Sequence, residues 1–228
     1  MTLSRILEPE VMDSAAEAAD YDAMDHADVN RRFVDDLIAS LSRTPSPEPP
    51  PFLDILDLGT GTALIPIELC QKLPGCRIMA ADAAISMLEL ARYNVEVNSL
   101  TERIELGHVD AKKLPFNAAM FDIVISNSII HHIPEPSHVL REAVRVTKPG
   151  GLLFFRDLLR PETDEQLKDL VATYAANENA NSQRMFAESL HAALSLDEIR
   201  GVLTSLGFSA DTIQQTSDRH WTWFATRS

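Results

Sequence analysis

The 228-residue sequence predicts an α/β fold with a doubly wound, mostly parallel sheet, and three observations carry that prediction. Short apolar runs alternate with amphipathic helical stretches between residues 52 and 158, the rhythm of βαβ units covered on both faces. The stretch "LDLGTGTALIPIEL" (56–69) reads as a strand, a glycine-rich turn and a helix start. Finally, the acids Asp57, Asp82 and Asp110 close three successive strands, at the carboxyl edge where open α/β sheets bind ligands.

Taken in order, residues 1–51 stand apart as an N-terminal helical segment and spacer. In "ADVNRRFVDDLIASLSR", Val29, Phe33, Leu37, Ile38 and Leu41 form one apolar stripe at helical spacing. "TPSPEPPP" (44–51) stops that helix and makes a stiff extended spacer. The main domain follows over 52–228, with strands at 52–58, 76–82, 103–110, 120–127 and 152–158. Helices are expected at 63–73, 85–98 and 137–148, the last ending at the Pro149-Gly150-Gly151 turn. Residues 161–194 hold two helical stretches split by the polar "ANENANSQ" (176–183). Ser195 with Glu198 three residues on is a capping box, and Gly207 is the stop of that helix. "FSADTIQQ" and "HWTWFAT" close the chain as a hairpin.

Composition limits the function classes. Apolar residues are 45% and charged residues 24%, ordinary for a globular protein. Acids outnumber bases 34 to 20, and a net charge of −14 repels a phosphate backbone, so no nucleic-acid partner is expected. Cys70 and Cys76 are too few for a disulfide framework and read as reduced core thiols of a cytoplasmic protein. The start "MTLSRILEPEVMD" has no apolar signal region, and no run approaches the roughly 18 apolar residues of a membrane span.

The glycine turn narrows the ligand. Gly59 and Gly61 let the backbone bend tightly and approach a ligand without a Cβ in the way. A dinucleotide fingerprint requires a third glycine where this chain has Leu64, and Asp57, two residues before Gly59, would repel a pyrophosphate. No Gly-Lys-Ser/Thr follows, which excludes a P-loop. An acid at Asp57 suits a ligand carrying a cationic ammonium group. Asp82, 25 residues on, can hold both hydroxyls of a ribose, and Asp110 can accept from an adenine amino group.

On "LDLGTGTA", "AAD" (80–82), "HVDAKKLPF" (108–116), "FDIVISNSIIHHI" (121–133) and "VTKPGGLLFF" (146–155), the sequence resembles the class I S-adenosylmethionine-dependent methyltransferases, of the small-molecule type that includes the quinone-biosynthesis enzymes. The resemblance implies a Rossmann-like, seven-stranded sheet with "HWTWFAT" as an antiparallel last strand slipped beside the fifth, and a helical cap insertion at about 160–194. It implies S-adenosylmethionine as cofactor and S-adenosylhomocysteine as product. It puts Asp57 near the methionine ammonium, Gly59, Thr60 and Gly61 under the methionine part, and Asp82 on the ribose. Ala83 and Met87 would lie against the adenine, Asp110 and Ala111 at its edge, and Asn127, or Ser126, at the methionine end. Many members have a third glycine where this chain has Ala63, a departure expected to be tolerated.

Methyl transfer from a sulfonium is an in-line displacement that gains most from a close, aligned and dry nucleophile. A base is needed only for an acceptor that is a poor nucleophile when protonated. His131 and His132 follow the fourth strand beside the acceptor side and either deprotonate a hydroxyl or line the pocket. Some quinone O-methyltransferases carry a Glu-x-x-Glu-His metal set here; this chain aligns Ser128, His131 and His132, so both carboxylates are missing and no metal is expected. Asp157 and Arg156 end the fifth strand on opposite faces, so one of them can enter the site. Tyr174, Arg184, Phe186 and His191 are candidates in the cap, and "DYDAMDH" (20–26) for folding over the cofactor. The acceptor is a small molecule of unidentified chemistry, and the oligomeric state, a homodimer included, is open. A protein or RNA methyltransferase and a non-catalytic cofactor-binding relative are the alternatives. Against base-amino chemistry, the fourth strand ends in Asn127-Ser128-Ile129-Ile130 rather than an Asn-Pro-Pro-Tyr type sequence.

Overall fold

The computed structural model describes residues 3–9, 18, 22, 27–41 and 52–228. The "TPSPEPPP" spacer and all of "DYDAMDH" but Asp22 lie outside the described residues. Helix α1 (Ala27–Leu41) precedes β1 (Leu53–Leu58), α2 (Leu64–Lys72), β2 (Cys76–Asp82), α3 (Ile85–Val97), β3 (Ile104–His108) and β4 (Phe121–Asn127). After a 3₁₀ turn, Ile130–His132, come α4 (Pro136–Val146), β5 (Thr147–Leu158), α5 (Asp164–Tyr174), α6 (Ala180–Ala192), α7 (Leu196–Ser205), β6 (Ile213–Gln215) and β7 (His220–Thr226). The seven strands form one sheet in the order β3-β2-β1-β4-β5-β7-β6. β7 alone runs antiparallel, inserted between β5 and the short β6, as the resemblance implies.

Period-two alternation builds two cores from one sheet. Ile55, Ile78, Ile123, Ile125, Leu152 and Phe154 face the layer of α1, α2 and α3, where Phe33 meets Phe154 edge-on. Leu56, Leu58, Val124, Leu153, Phe155, Trp221 and Trp223 face the opposite layer with α4 and α7. The apolar stripe of α1 is buried as its spacing requires, through Phe33, Val34 and Leu37. Arg156, next on the face of Leu152 and Phe154, ties that helix down. Its guanidinium donates to Asp36 Oδ2 (2.5 Å) and Thr222 Oγ1 (3.0 Å).

Three boundaries differ from the sequence expectation. Helix α4 stops at Val146 rather than running to the Pro149 turn, because Thr147 already pairs with Phe121 and opens β5. β5 then carries Pro149 and two glycines through an irregular register before Leu152 pairs with Ile123. β3 ends at His108, so Val109 and Asp110 lie beyond it. In the 176–183 segment, Asn179 caps α6 by accepting from Ser182 N, so residues 180–183 are its first turn and not part of the break. The capping box at Ser195 and Glu198 forms as expected.

Candidate functional site

The strand order turns back at β1, whose neighbours are β2 and β4, and the carboxyl ends of these strands frame a cleft. The cleft encloses about 840 Å³, counting the solvent at its mouth. Gly59, Gly61, Asp82, Ala83, Met87, Asp110, Ala111 and Asn127 line it, together with Ile129 and His132. Asp57 and Thr60 instead line an adjoining hollow, which shares Gly59 and Asn127 with the cleft. All ten residues singled out for cofactor binding thus gather at one sheet edge, around two neighbouring spaces with Gly59 and Asn127 between them.

Each is held there by local geometry. Gly59 has φ +70°, and a Cβ on it would stand 1.9 Å from Ile129 Cγ2, so only glycine fits between the turn and the wall of the cleft. Gly59 and Thr60 donate to Ala81 O, pinning the turn to the end of β2. Asp82 accepts from Gly61 N through Oδ2 (2.8 Å) and from Ala84 N through Oδ1 (2.9 Å), which fixes the carboxylate while each oxygen keeps a lone pair. Burial raises its pKa despite those amides. Ala63, at φ +65°, opens helix α2 with no side-chain cap, so the first amides of that helix are available to an anionic group. The left-handed backbone at Ala63 also explains why a glycine is common at this position in the family that the sequence resembles.

The hollow is chemically distinctive. Among the described residues, Asp57 Oδ2, Thr60 Oγ1, Thr62 Oγ1 and Asn127 Oδ1 are buried side-chain oxygens with no hydrogen bond of good geometry, although the Thr60 hydroxyl is close enough to Asp57 to temper its pKa. Four such acceptor-capable oxygens suit an ammonium, which carries three donors and no acceptor. Burial pushes the Asp57 carboxyl up to about 7, with Asp82 adding to the rise. The end of the cleft away from the hollow is apolar where Met87 and Ile129 stand and polar where Asp110 accepts from Lys112 N. Ala18 packs on Ala84 and Met87, and Asp22 accepts from Asn94, so part of the N-terminal segment does lie over this flank. The residues present therefore fit a ligand with an amino acid at one end and a nucleoside at the other.

The histidines sit across the cleft. The 3₁₀ turn brings their rings to 4.1 Å, centroid to centroid, and only His132 lines the cleft. Asp157, on the opposite sheet face from Arg156, is fully buried and does not reach the cleft. Its Oδ1 lies 2.5 Å from His131 Nδ1, and its oxygens also accept from Ile130 N and Leu158 N. Burial pulls the His131 imidazole down, but the Asp157 charge and hydrogen bond outweigh it and the net shift is upward. Burial and the neighbouring His131 push His132 down to about 3. Arg156 turns to α1 and does not enter the site.

Two residues that the sequence reading missed complete this corner. Arg5 donates to the carbonyls of His131, Ile133, Pro134 and Ala192, strapping residues 3–9 across the histidine turn. Glu8, carried on that strap, places its carboxylate against both histidines. A polar "SRILEPE" near the chain start offered no signal for either. The cap candidates are elsewhere. Tyr174 is half exposed and bonds Asp218, Arg184 pairs with Glu188, and Phe186 packs on the small cluster of Leu158, Leu167, Leu170 and Leu190. His191 contributes its backbone carbonyl to Ile6 N.

Residues 56–155 match the methyltransferase-domain family. The chain is 30% identical over 179 residues to the 27-O-demethylrifamycin SV methyltransferase of Amycolatopsis mediterranei, an alignment covering 76% of this chain and 61% of that protein. It is 31% identical over 191 residues to the malonyl-[acyl-carrier protein] O-methyltransferase of Geobacter sulfurreducens, covering 84% and 66%. The chain spans less than two thirds of the length of these curated relatives. Among solved structures, an S-adenosylmethionine-dependent methyltransferase from Aquifex aeolicus shares the fold with a TM-score of 0.65 at 17% identity, over 94% of this chain and 99% of that one.

Proposed function

We propose that this chain, a member of the class I S-adenosylmethionine-dependent methyltransferase family, is an enzyme that transfers a methyl group to a small-molecule acceptor. The observation that carries the reading is the glycine-walled cleft lying beside a hollow of buried oxygens, with Gly59 and Asn127 common to both. The cofactor supplies an electrophilic methyl on a sulfonium. Asp57 with Asn127 would hold its ammonium, the α2 N-terminus its carboxylate, Asp82 the ribose hydroxyls, and Asp110 with Met87 the adenine. What remains for the chain is to hold the acceptor in line and exclude water, which the wall of Ile129 and His132 supports.

A small-molecule acceptor is favoured by the −14 net charge, by the absence of an Asn-Pro-Pro-Tyr type ending on β4, and by the rifamycin-type substrate named for one relative. Buried free thiols at Cys70 and Cys76 suit a cytoplasmic setting, and among the described residues no helix is long and apolar enough to cross a membrane.

Calorimetry with S-adenosylmethionine and, separately, with NAD tests the reading. S-adenosylmethionine should bind and NAD should not. Asp82→Ala should weaken S-adenosylmethionine about 10- to 100-fold, the loss of hydrogen bonds to a charged group. Binding of NAD alone, or an Asp82→Ala protein that binds like the wild type, would refute it.

A further inference from the structure

We propose that Glu8, His131 and His132 form a binding site for a divalent transition-metal ion of the zinc type at the acceptor side of the cleft. Three ligating atoms converge there from two distant parts of the chain. Glu8 Oε1 lies 3.1 Å from His132 Nδ1 and 3.5 Å from His131 Nε2. Zinc bonds to nitrogen and oxygen run to about 2.0–2.1 Å, so the edges of a tetrahedron of such ligands are roughly 3.3 Å long. The two observed separations bracket that edge.

The surroundings are those of a ligand set. His131 Nδ1 is engaged by Asp157 at 2.5 Å, which fixes the ring and directs Nε2 toward Glu8. A carboxylate behind a ligating imidazole is the recurrent outer-shell arrangement of metal sites. Glu8 Oε1 and His132 Nδ1 are buried, and despite their proximity neither makes a hydrogen bond of acceptable geometry among the described residues. Electron-pair donors gathered in this way are costly until a cation joins them. The Arg5 guanidinium is occupied by backbone carbonyls and holds the strap that delivers Glu8.

The donor set selects the ion. Two imidazoles and one carboxylate suit borderline transition metals, whereas magnesium prefers oxygen ligands and retained water. The arrangement thus differs from a carboxylate-rich set, and the missing acid comes from residue 8 rather than from the histidine turn. Of the three, His132 lines the cleft, so the site stands at that wall, and three protein ligands leave a tetrahedral ion one further position. An ion there would hold an acceptor oxygen and ease its deprotonation. That last role rests on the methyl-transfer reading; the metal site itself does not.

The test uses the full chain, freed of metal by chelator and titrated with zinc ion, and separately with magnesium, without S-adenosylmethionine. One zinc per chain should bind, and magnesium should not. Glu8→Gln and His132→Ala should each weaken zinc at least about 10-fold, and Asp157→Asn about 10- to 100-fold, with thermal melts confirming that each variant is folded. No zinc uptake by the wild type, or equal uptake by both ligand variants, overturns the proposal. Should the variants fail to fold, the wild-type cobalt(II) complex decides: visible bands of a low-coordinate, histidine-ligated ion support the site, and their absence overturns it. Since no cofactor is present, failure here is separable from failure of the methyl-transfer reading.

Discussion

Asp57 allows the unliganded fold and the ligand site to be tested against each other. Its side chain is fully buried, with no hydrogen bond of good geometry at Oδ2, and burial raises its pKa from 3.8 to about 7. A carboxyl whose folded pKa exceeds its unfolded pKa stabilises the fold fully below the unfolded value and loses that contribution as pH rises through the folded value, here from about pH 4 to about 7. At about 1.4 kcal/mol per tenfold change in proton affinity, full ionisation costs the fold about 4 kcal/mol. Asp57→Asn removes that cost and keeps the volume. The variant should therefore gain stability over the wild type as pH rises, the gain growing by about 2 kcal/mol between about pH 5.5 and 8.5. Denaturant titrations of both proteins at the two pH values measure it. In exchange, S-adenosylmethionine should bind the variant at least about 30-fold more weakly, since one partner of a desolvated charge pair is gone. An Asp57→Asn protein that is less stable than wild type at the higher pH, or that binds the cofactor as well as wild type, would refute the assignment.

Two further outcomes follow from packing. Gly59→Ala should destabilise by roughly 2–5 kcal/mol, combining left-handed strain with the overlap at Ile129. Adding Ile129→Ala should recover the overlap part and leave the strain, and a double variant no better than the single one would count against this reading. Arg156→Met should keep the buried stem filled while removing the link to Asp36, which is 58% exposed and needs no partner once released. A loss of about 1 kcal/mol is expected, with amide exchange quickening in α1 before β1 or β4, and uniform quickening across the sheet would contradict a local tie.

The sheet was legible because its two cores leave period-two signatures. "LDILDL" and "LLFFRDL" sort their residues to alternating faces, so the opposite directions of Arg156 and Asp157 could be read before their partners were known. The clustering of the candidate acids at one sheet edge was legible for a related reason. Asp57 pairs with Ala80 and Asp82 with His108, so each acid stands two residues further along than the one before it, and the parallel strands still bring Asp57, Asp82 and Asp110 to one carboxyl edge. The hidden boundary was the start of β5. Pro149 and two glycines signal a turn locally, while the pairing of Thr147 with Phe121, a tertiary contact, keeps them in strand.

The histidine corner was illegible because its partners are not at equivalent places in any repeating unit. Asp157 reaches His131 by being one residue past Arg156 on β5, and which of the two faces the histidines depends on where the 3₁₀ turn folds back. Glu8 arrives on a strap with no hydrophobic period, positioned by one guanidinium that bonds four carbonyls left exposed at the ends of the turn and of α6. Such a contact follows from unsatisfied backbone acceptors, which exist only once the turn and the helix have formed. A search along the chain for acids at fixed spacing from His131 and His132 therefore finds Ser128 and stops. A search for what satisfies the carbonyls of residues 131–134 finds Arg5, and three residues further on, Glu8.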